Sequence, residues 1–225
     1  MNTYTKYWFL EGFNLFNKLG RITMMRMCEI LEMDNINKGT TIELLKGDKK
    51  NIFFLKKGTV KIIDKVNDNV KYVVKKGNIF GELALYNESS ETQEQAIALE
   101  DCIICYIEAE RMISIMEKHH SLKNNVFKVY GARIKKLERR LNDLLYKDSA
   151  TRIRDFINDY LIEFGELHEN RIIARNLISH KDIANLTNTS RQTVSNILST
   201  MRKKGELTYN TQFLSIPNKE QNKTL

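Results

Sequence analysis

Residues 178–207 read ISHKDIANLTNTSRQTVSNILSTMRKKGEL, and their spacing predicts two short helices around a tight turn. Ser179 with Asp182 three residues on has the spacing of a capping box, so the first helix starts there. Ile183 and Leu186 are its inward positions, and Ala184 is small where two helices cross closely. Asn188 stands at the turn, where a residue tolerant of left-handed backbone is needed. Thr189 or Ser190 opens the second helix, with Gln192 completing a second capping signal. On that helix Val194, Ile197, Leu198 and Met201 recur at i, i+3, i+4 and i+7, an apolar docking stripe. Gln192, Ser195, Asn196 and Ser199 lie on the other face, with Arg191 beside its N-terminal end.

This is the pattern of a helix-turn-helix, whose second helix enters the major groove of DNA. Arg191 suits guanine O6 and N7 through two parallel bonds, and Gln192 or Asn196 suits adenine N6 and N7. Ser190 and the backbone N–H groups of the second helix's first turn suit a phosphate. Thr189, Ser195 and Lys203 complete the expected DNA-contacting set, and His180 is placed to donate to a phosphate. An ordinary helical hairpin requires none of this outward chemistry.

Charge supports the reading through its distribution. Residues 77–110 carry no basic and 8 acidic side chains, whereas residues 111–225 carry 21 basic and 12 acidic, an excess that suits a phosphate backbone. No apolar run approaches the roughly 20 residues of a membrane span, and the start MNTYTKYWFLEGFNLF lacks the features of a signal peptide. Three cysteines make no disulfide framework, so a cytoplasmic location is expected.

Upstream of the motif the pattern changes twice. Residues 8–33 look helical, with Leu10, Phe13, Phe16, Leu19 and Ile22 near helical spacing. From 36 to 107, runs such as TTIELL, NIFFL, TVKIID, VKYVV and CIICYIE alternate with glycines, which predicts a compact antiparallel β-roll. A long helix is expected from Glu108 to about Tyr146. Along it Phe127, Tyr130, Ile134, Leu137, Leu141 and Leu144 recur at steps of three and four, the seam of a two-stranded coiled coil. Asp148 or Ser149 caps a further helix whose inner face is Ile153, Phe156, Ile157, Tyr160, Leu161 and Phe164, and ELTY with FLSI reads as a β-hairpin wing. The expected class is α+β, in three parts: helices and β-roll (1–107), dimerisation helix (108–147) and winged helix-turn-helix (148–225).

That order, with LTNTSRQTVSNIL at 186–198 and NIFGELALY at 78–86, resembles the family of the cyclic-AMP receptor protein and the fumarate–nitrate reduction regulator, the Crp/Fnr family. The resemblance covers nearly the whole chain. It implies a cytoplasmic homodimeric transcription regulator that binds double-stranded DNA and engages RNA polymerase, with an effector in the β-roll orienting the two recognition helices. Arg191 matches the family's guanine-contacting arginine. Gln192 stands where many members have a glutamate reading cytosine, and Asn196 where many have a second arginine. Both departures favour adenine edges, so the expected operator is a pseudo-palindrome richer in A·T than is usual in the family, retaining the guanine met by Arg191.

The family's cyclic-nucleotide cassette opens with Gly-Glu-Leu, matched by Gly81, Glu82 and Leu83, and carries an Arg-Ser pair about ten residues later. Thr92 and Gln93 stand in place of that pair. A buried cyclic phosphate needs a cation or several N–H donors, whereas Glu82, Glu88, Glu91 and Glu94 would repel it. Leu137 and Glu138 stand at the helix positions that reach the base in nucleotide-binding members, and they lack the small hydroxyl pair found there. Cyclic-AMP binding is therefore not expected, and the effector is left unidentified.

Other effectors are weighed on the same basis. An iron–sulfur cluster usually needs four thiolates; this chain has Cys28, Cys102 and Cys105. Cys102 and Cys105 form a CxxC in an expected strand, where residues three apart face opposite sides, so one buried and one outward thiol is expected. Haem ligands are conceivable in His119, His120, Met24, Met25 and Met27, but an exposed turn and a methionine-filled helix face explain them better. No metal or cofactor is called for. A metal-dependent β-barrel enzyme built on the acidic roll is the alternative from another class, and no His–Glu metal spacing, nucleophile motif or glycine-rich phosphate loop accompanies those carboxylates.

Overall fold

A computed structural model describes residues 3–81, 85 and 93–218. The chain divides into two compact units at Lys136/Leu137.

The first unit opens with helix α1 (Thr3–Glu11), a 3₁₀ turn (Asn14–Phe16) and helix α2 (Arg21–Ile30). The continuous helical run expected over 8–33 is thus interrupted. Lys18 turns through φ +73°, Gly20 caps α2, and the run ends in strand β1 (Glu32–Ile36). The restart resets the helical phase. Leu10, Phe13, Phe16 and Leu19 remain buried, but Ile22 is 72% exposed.

The β-roll follows as β2 (Thr41–Ile42), β3 (Leu45–Lys46), β4 (Lys49–Lys57), β5 (Thr59–Asp64), β6 (Val70–Lys75), β7 (Ile79–Phe80), β8 (Glu94–Ala98) and β9 (Cys102–Glu108). One sheet runs β1-β9-β4-β3 with β7 also on β4, the other β2-β8-β5-β6, and the pairing is antiparallel. Strands β4 and β9 are buried on both faces because the N-terminal helices cover the back of their sheet. Phe53, Leu55, Ile104 and Tyr106 point into the roll with Val60, Ile62 and Phe80. Ile52, Phe54, Cys105 and Ile107 point the other way, against Phe13, Phe16 and Met27. Phe53 stacks on Phe80 at 4.8 Å, and Phe13 meets Phe54 edge-on at 5.8 Å.

This double core corrects the expectation for the CxxC. Cys102 and Cys105 do face opposite sides of β9, but both sides are interior, so neither thiol is outward. Burial pushes the Cys105 thiol up to about 12 and raises those of Cys28 and Cys102. All three are protonated and unreactive at neutral pH.

The helix expected from Glu108 is two helices, α3 (Ala109–Lys118) and α4 (His120–Tyr146), broken at His119 with φ −130° and ψ 86°. Met112 and Met116 of α3, and Leu122 and Val126 of α4, enter the same core. The six-residue step from Met116 to Leu122 is out of phase with a helix, and the break restores the phase. His119 is half-buried, with Nε2 3.5 Å from Thr23 Oγ1, whereas His120 is exposed. Met24 and Met27 fill the core as expected, and Met25 is half-buried.

In the second unit α5 (Ser149–Phe164) is capped by Asp148, which accepts from Thr151 N, and buries Ile153, Ile157, Tyr160 and Leu161. Helices α6 (His180–Thr187) and α7 (Arg191–Lys203) follow a hairpin of β10 (Glu166–His168) and β11 (Arg171–Arg175) and precede β12 (Thr208–Tyr209) and β13 (Phe213–Pro217). The small sheet runs β10-β11-β13-β12. The expected wing is β12–β13. The β10–β11 hairpin was not foreseen, since ELH carries too little apolar pattern to read as a strand.

Candidate nucleic-acid interface

The two motif helices are fixed by local bonds that the sequence largely dictates. Ser179 and Asp182 form the complete capping box of α6. Asn188 adopts the left-handed conformation at φ 49° and ψ 58°, turning the chain between the helices. Ser190 caps α7 by accepting from Thr193 N at 3.0 Å. Thr189 is therefore not the cap, and Gln192 closes no capping box. Its Nε2 instead donates to Asn196 Oδ1 at 3.1 Å, one turn on. Ile183, Ala184, Val194, Leu198 and Met201 are buried, which fixes how the two helices dock.

The opposite face of α7 is open. Arg191, Gln192 and Asn196 are exposed, Ser195 and Ser199 half-exposed, and Ser190 and Lys203 exposed at the two ends. Thr189 is half-buried beside Thr187, their hydroxyls 3.0 Å apart. His180 is half-buried, with Nδ1 2.9 Å from Ser195 Oγ. Burial first, and the Arg191 charge second, hold its imidazole below the ordinary histidine value. At neutral pH the ring is uncharged.

Sequence reading missed the clamp behind the motif. Arg152 of α5 donates from Nε to Thr187 O at 2.9 Å and from Nη2 to Asn188 O at 3.2 Å, holding the turn. Its Nη1 reaches Lys147 O at the end of α4. Arg140 of α4 donates to Asn185 O at 3.1 Å, and Arg139 pairs with Asp159 at 2.8 Å. Lys147 bridges Asp143 and Asp155. The joint expected at Lys147–Asp148 is thus tied on both sides. Partners up to 45 residues apart leave no periodic trace in a single sequence.

Of the positions expected for an effector, Gly81, Gln93, Leu137 and Glu138 lie in the described residues. Gly81 ends β7 at φ +75°, where a Cβ would lie 2.6 Å from Asn51 O, so a side chain there would collide with β4. Glu82, Leu83 and Thr92 lie outside the described residues, and Gln93 is exposed. Leu137 and Glu138 are exposed on α4. Cations do reach the roll, though from outside 77–110. Glu94 lies on the same face of β8 as Ala96 and Ala98, which line the roll interior, and is 8% exposed. One of its carboxylate oxygens sits 2.5 Å from Lys71 Nζ and 3.9 Å from Arg133 Nη2, with the Arg133 guanidinium 4.2 Å from the centre of the Tyr72 ring. Among the described residues no group of three or more His, Cys, Asp or Glu side chains is arranged to hold a metal. Nor is any described helix long and apolar enough to cross a membrane.

A β-roll followed by a winged helix-turn-helix defines a DNA-binding protein with a domain of the cyclic-nucleotide-binding type. Comparison agrees for each part. Residues 35–119 match the family described as cyclic nucleotide-binding domain, and residues 157–221 match the Crp-like helix-turn-helix domain. The anaerobic regulatory protein of Bacillus subtilis is 20% identical over 161 residues, covering 70% of this chain and 68% of that one. The cyclic AMP receptor protein of Thermus thermophilus is 25% identical over 130 residues, 57% of this chain and 56% of that relative. In fold, the c-di-GMP-responsive regulator CLP of Xanthomonas campestris superposes with a TM-score of 0.70 at 18% identity, over 87% of this chain and 98% of that one. The chain belongs to the Crp/Fnr family and is a DNA-binding transcription regulator.

Proposed function

We propose that this regulator works in the cytoplasm as a homodimer that reads a pseudo-palindromic, A·T-rich operator and engages RNA polymerase there. In this reading residues 1–107 are a sensor-type domain, 108–147 carry the dimer seam and 148–225 bind DNA. The observation that carries it is the face of α7, where Arg191, Gln192 and Asn196 are exposed over a buried stripe of Val194, Leu198 and Met201. The hydrogen bond from Gln192 to Asn196 joins two amides into one reading unit. The pair keeps Gln192 Oε1 as an acceptor and Asn196 Nδ2 as a donor. That combination complements the N6 donor and N7 acceptor of adenine. Selection from random DNA is expected to return two half-sites about one helical turn apart, each with one guanine–cytosine pair among A·T pairs. Recovery of the ordinary family consensus overturns the A·T assignment.

The roll, in the same reading, does not take cyclic nucleotide. Glu94 places a buried carboxylate against Lys71 and Arg133 inside the roll. Cations paired to a resident carboxylate are poor counter-charges for a second anion. Titration calorimetry of the full chain with cyclic AMP or cyclic GMP is expected to show no saturable heat; micromolar affinity for either refutes this part.

A further inference from the structure

Ser195, on the reading face of α7, is held from behind by another helix, since His180 Nδ1 lies 2.9 Å from its Oγ. Two arrangements of that bond exist, and they are chemically opposite outward. If Ser195 donates its proton to Nδ1, its oxygen lone pairs face away from the imidazole. If the ring carries a proton on Nδ1 and donates it, the serine hydroxyl hydrogen is released outward.

The surroundings select the first arrangement at neutral pH. Among the described residues, the groups facing the ring are Arg191 and Ser195 from α7 and Tyr209 from β12, whose ring is steeply inclined to it at 6.5 Å between centroids. The Arg202 guanidinium lies over that tyrosine at 5.3 Å. On α6 itself Asp182, two residues on, has its carboxylate committed to Ser179 N and Oγ, and Lys181 is exposed. Arginine charge and burial both disfavour a second proton on the ring. A cation at the first residue of a helix also opposes the helix dipole. Ser195 stands four residues, one turn, after Arg191, so an Nδ1 lone pair directed at α7 is favoured over an N–H.

We propose that His180 is a positioning residue that sets whether Ser195 faces the major groove as a hydrogen-bond acceptor or as a donor, making one base-pair preference per half-site proton-dependent. With the ring neutral, Ser195 Oγ accepts, which suits cytosine N4 or adenine N6. With the ring protonated, Ser195 donates, which suits guanine O6 or N7, or thymine O4. The inference rests on α7 being the reading helix, and it assigns to His180 a role behind the contact face in place of a phosphate contact.

The test is binding of the full chain to a panel of operators, substituted one position at a time and first obtained by selection at about pH 8, measured at about pH 8 and about pH 5. The wild-type chain is expected to change its base preference at one symmetric position by roughly threefold to tenfold, the worth of a single hydrogen bond. Ser195→Ala is expected to lose both the preference at that position and its pH dependence. His180→Asn keeps a side-chain acceptor that does not titrate, and is expected to keep the pH 8 preference unchanged at pH 5. His180→Phe is expected to relax that position at both pH values. Persistence of the pH shift in Ser195→Ala or in His180→Asn, or full discrimination in His180→Phe, overturns the inference while leaving the operator reading intact. Absence of any sequence-specific binding by the wild-type chain overturns both. Acid lowers stability independently. The unfolded chain takes the proton first as pH falls below the ordinary value of 6.5, so folding free energy declines from there down through the lower folded value. That decline is expected equally in Ser195→Ala, which separates it from the change in base preference.

Discussion

Arg191→Ala removes operator discrimination and leaves the fold intact. The side chain is exposed at the first position of α7, and its loss opens no cavity and strands no buried polar group. Stability is therefore expected to change by less than about 0.5 kcal/mol. The effect on DNA is of another size. A bidentate arginine–guanine contact is worth about 1–3 kcal/mol of discrimination, and a dimer makes it twice, so specific binding falls on the order of a hundredfold or more. Non-specific binding should fall far less, because the other basic groups of residues 111–225 remain. Electrophoretic mobility shifts with the selected operator and with a scrambled duplex, at one salt concentration, read both numbers. A variant that keeps its preference for the operator would remove Arg191 from the interface and with it the reading of α7. The same substitution removes one of the two influences that hold His180 below its ordinary value. Its imidazole is therefore expected to titrate at higher pH, visible in the histidine resonances of the free protein.

The helix-turn-helix was legible because its determinants are local. Ser179 with Asp182 is a cap within four residues, Asn188 is a left-handed turn in one residue, and Val194, Leu198 and Met201 are a stripe within three turns. The second cap was legible for the same reason, as one of Thr189 and Ser190, and only the capping-box role expected of Gln192 fails. Thr189 and Ser190 carry nearly the same chemistry, and only the backbone decides that Ser190 stands at the boundary. That choice frees Gln192 to bond Asn196. Where sequence reading failed, the cause was tertiary. Alternation along CIICYIE gave the correct opposite facing of Cys102 and Cys105, but no pattern within β9 reveals that α1, α2 and α3 cover the outer side. Counting charges between 77 and 110 gave a cassette segment without cations of its own, yet Lys71 arrives from β6 and Arg133 from α4, both outside that window. The breaks at Lys18–Gly20 and His119 show the same limit. Apolar spacing is close to helical across the first break, and the out-of-phase step from Met116 to Leu122 marks the second only once both sides are seen to enter one core.

Replacing the seam separates dimerisation from folding. Along α4 the side chains of Phe127, Ile134, Leu137, Leu141 and Leu144 are 48%, 56%, 57%, 57% and 37% exposed, whereas Leu122 and Val126, earlier on the same helix, are fully buried. Tyr130 lies between the two regimes, half-buried against the core of the first unit. Full burial of a leucine or isoleucine is worth about 1.5–3 kcal/mol relative to exposure, and a symmetric seam buries each residue twice. Several such residues at heptad spacing supply the association energy of a two-stranded coiled coil. Leu137→Glu with Leu141→Glu removes two layers and sets like charges against each other across the pair. The expected outcome is a monomer by sedimentation velocity at micromolar concentration, with circular dichroism of the wild-type form, because neither side chain supports its own fold. A monomer offers one recognition helix where two half-sites require a pair, so affinity for the full operator should drop by a factor of roughly a thousand while a single half-site is still bound weakly. A double variant that remains dimeric and binds the operator normally would show that the apolar face of α4 is not the seam. The second recognition helix would then have to be brought in by a different surface.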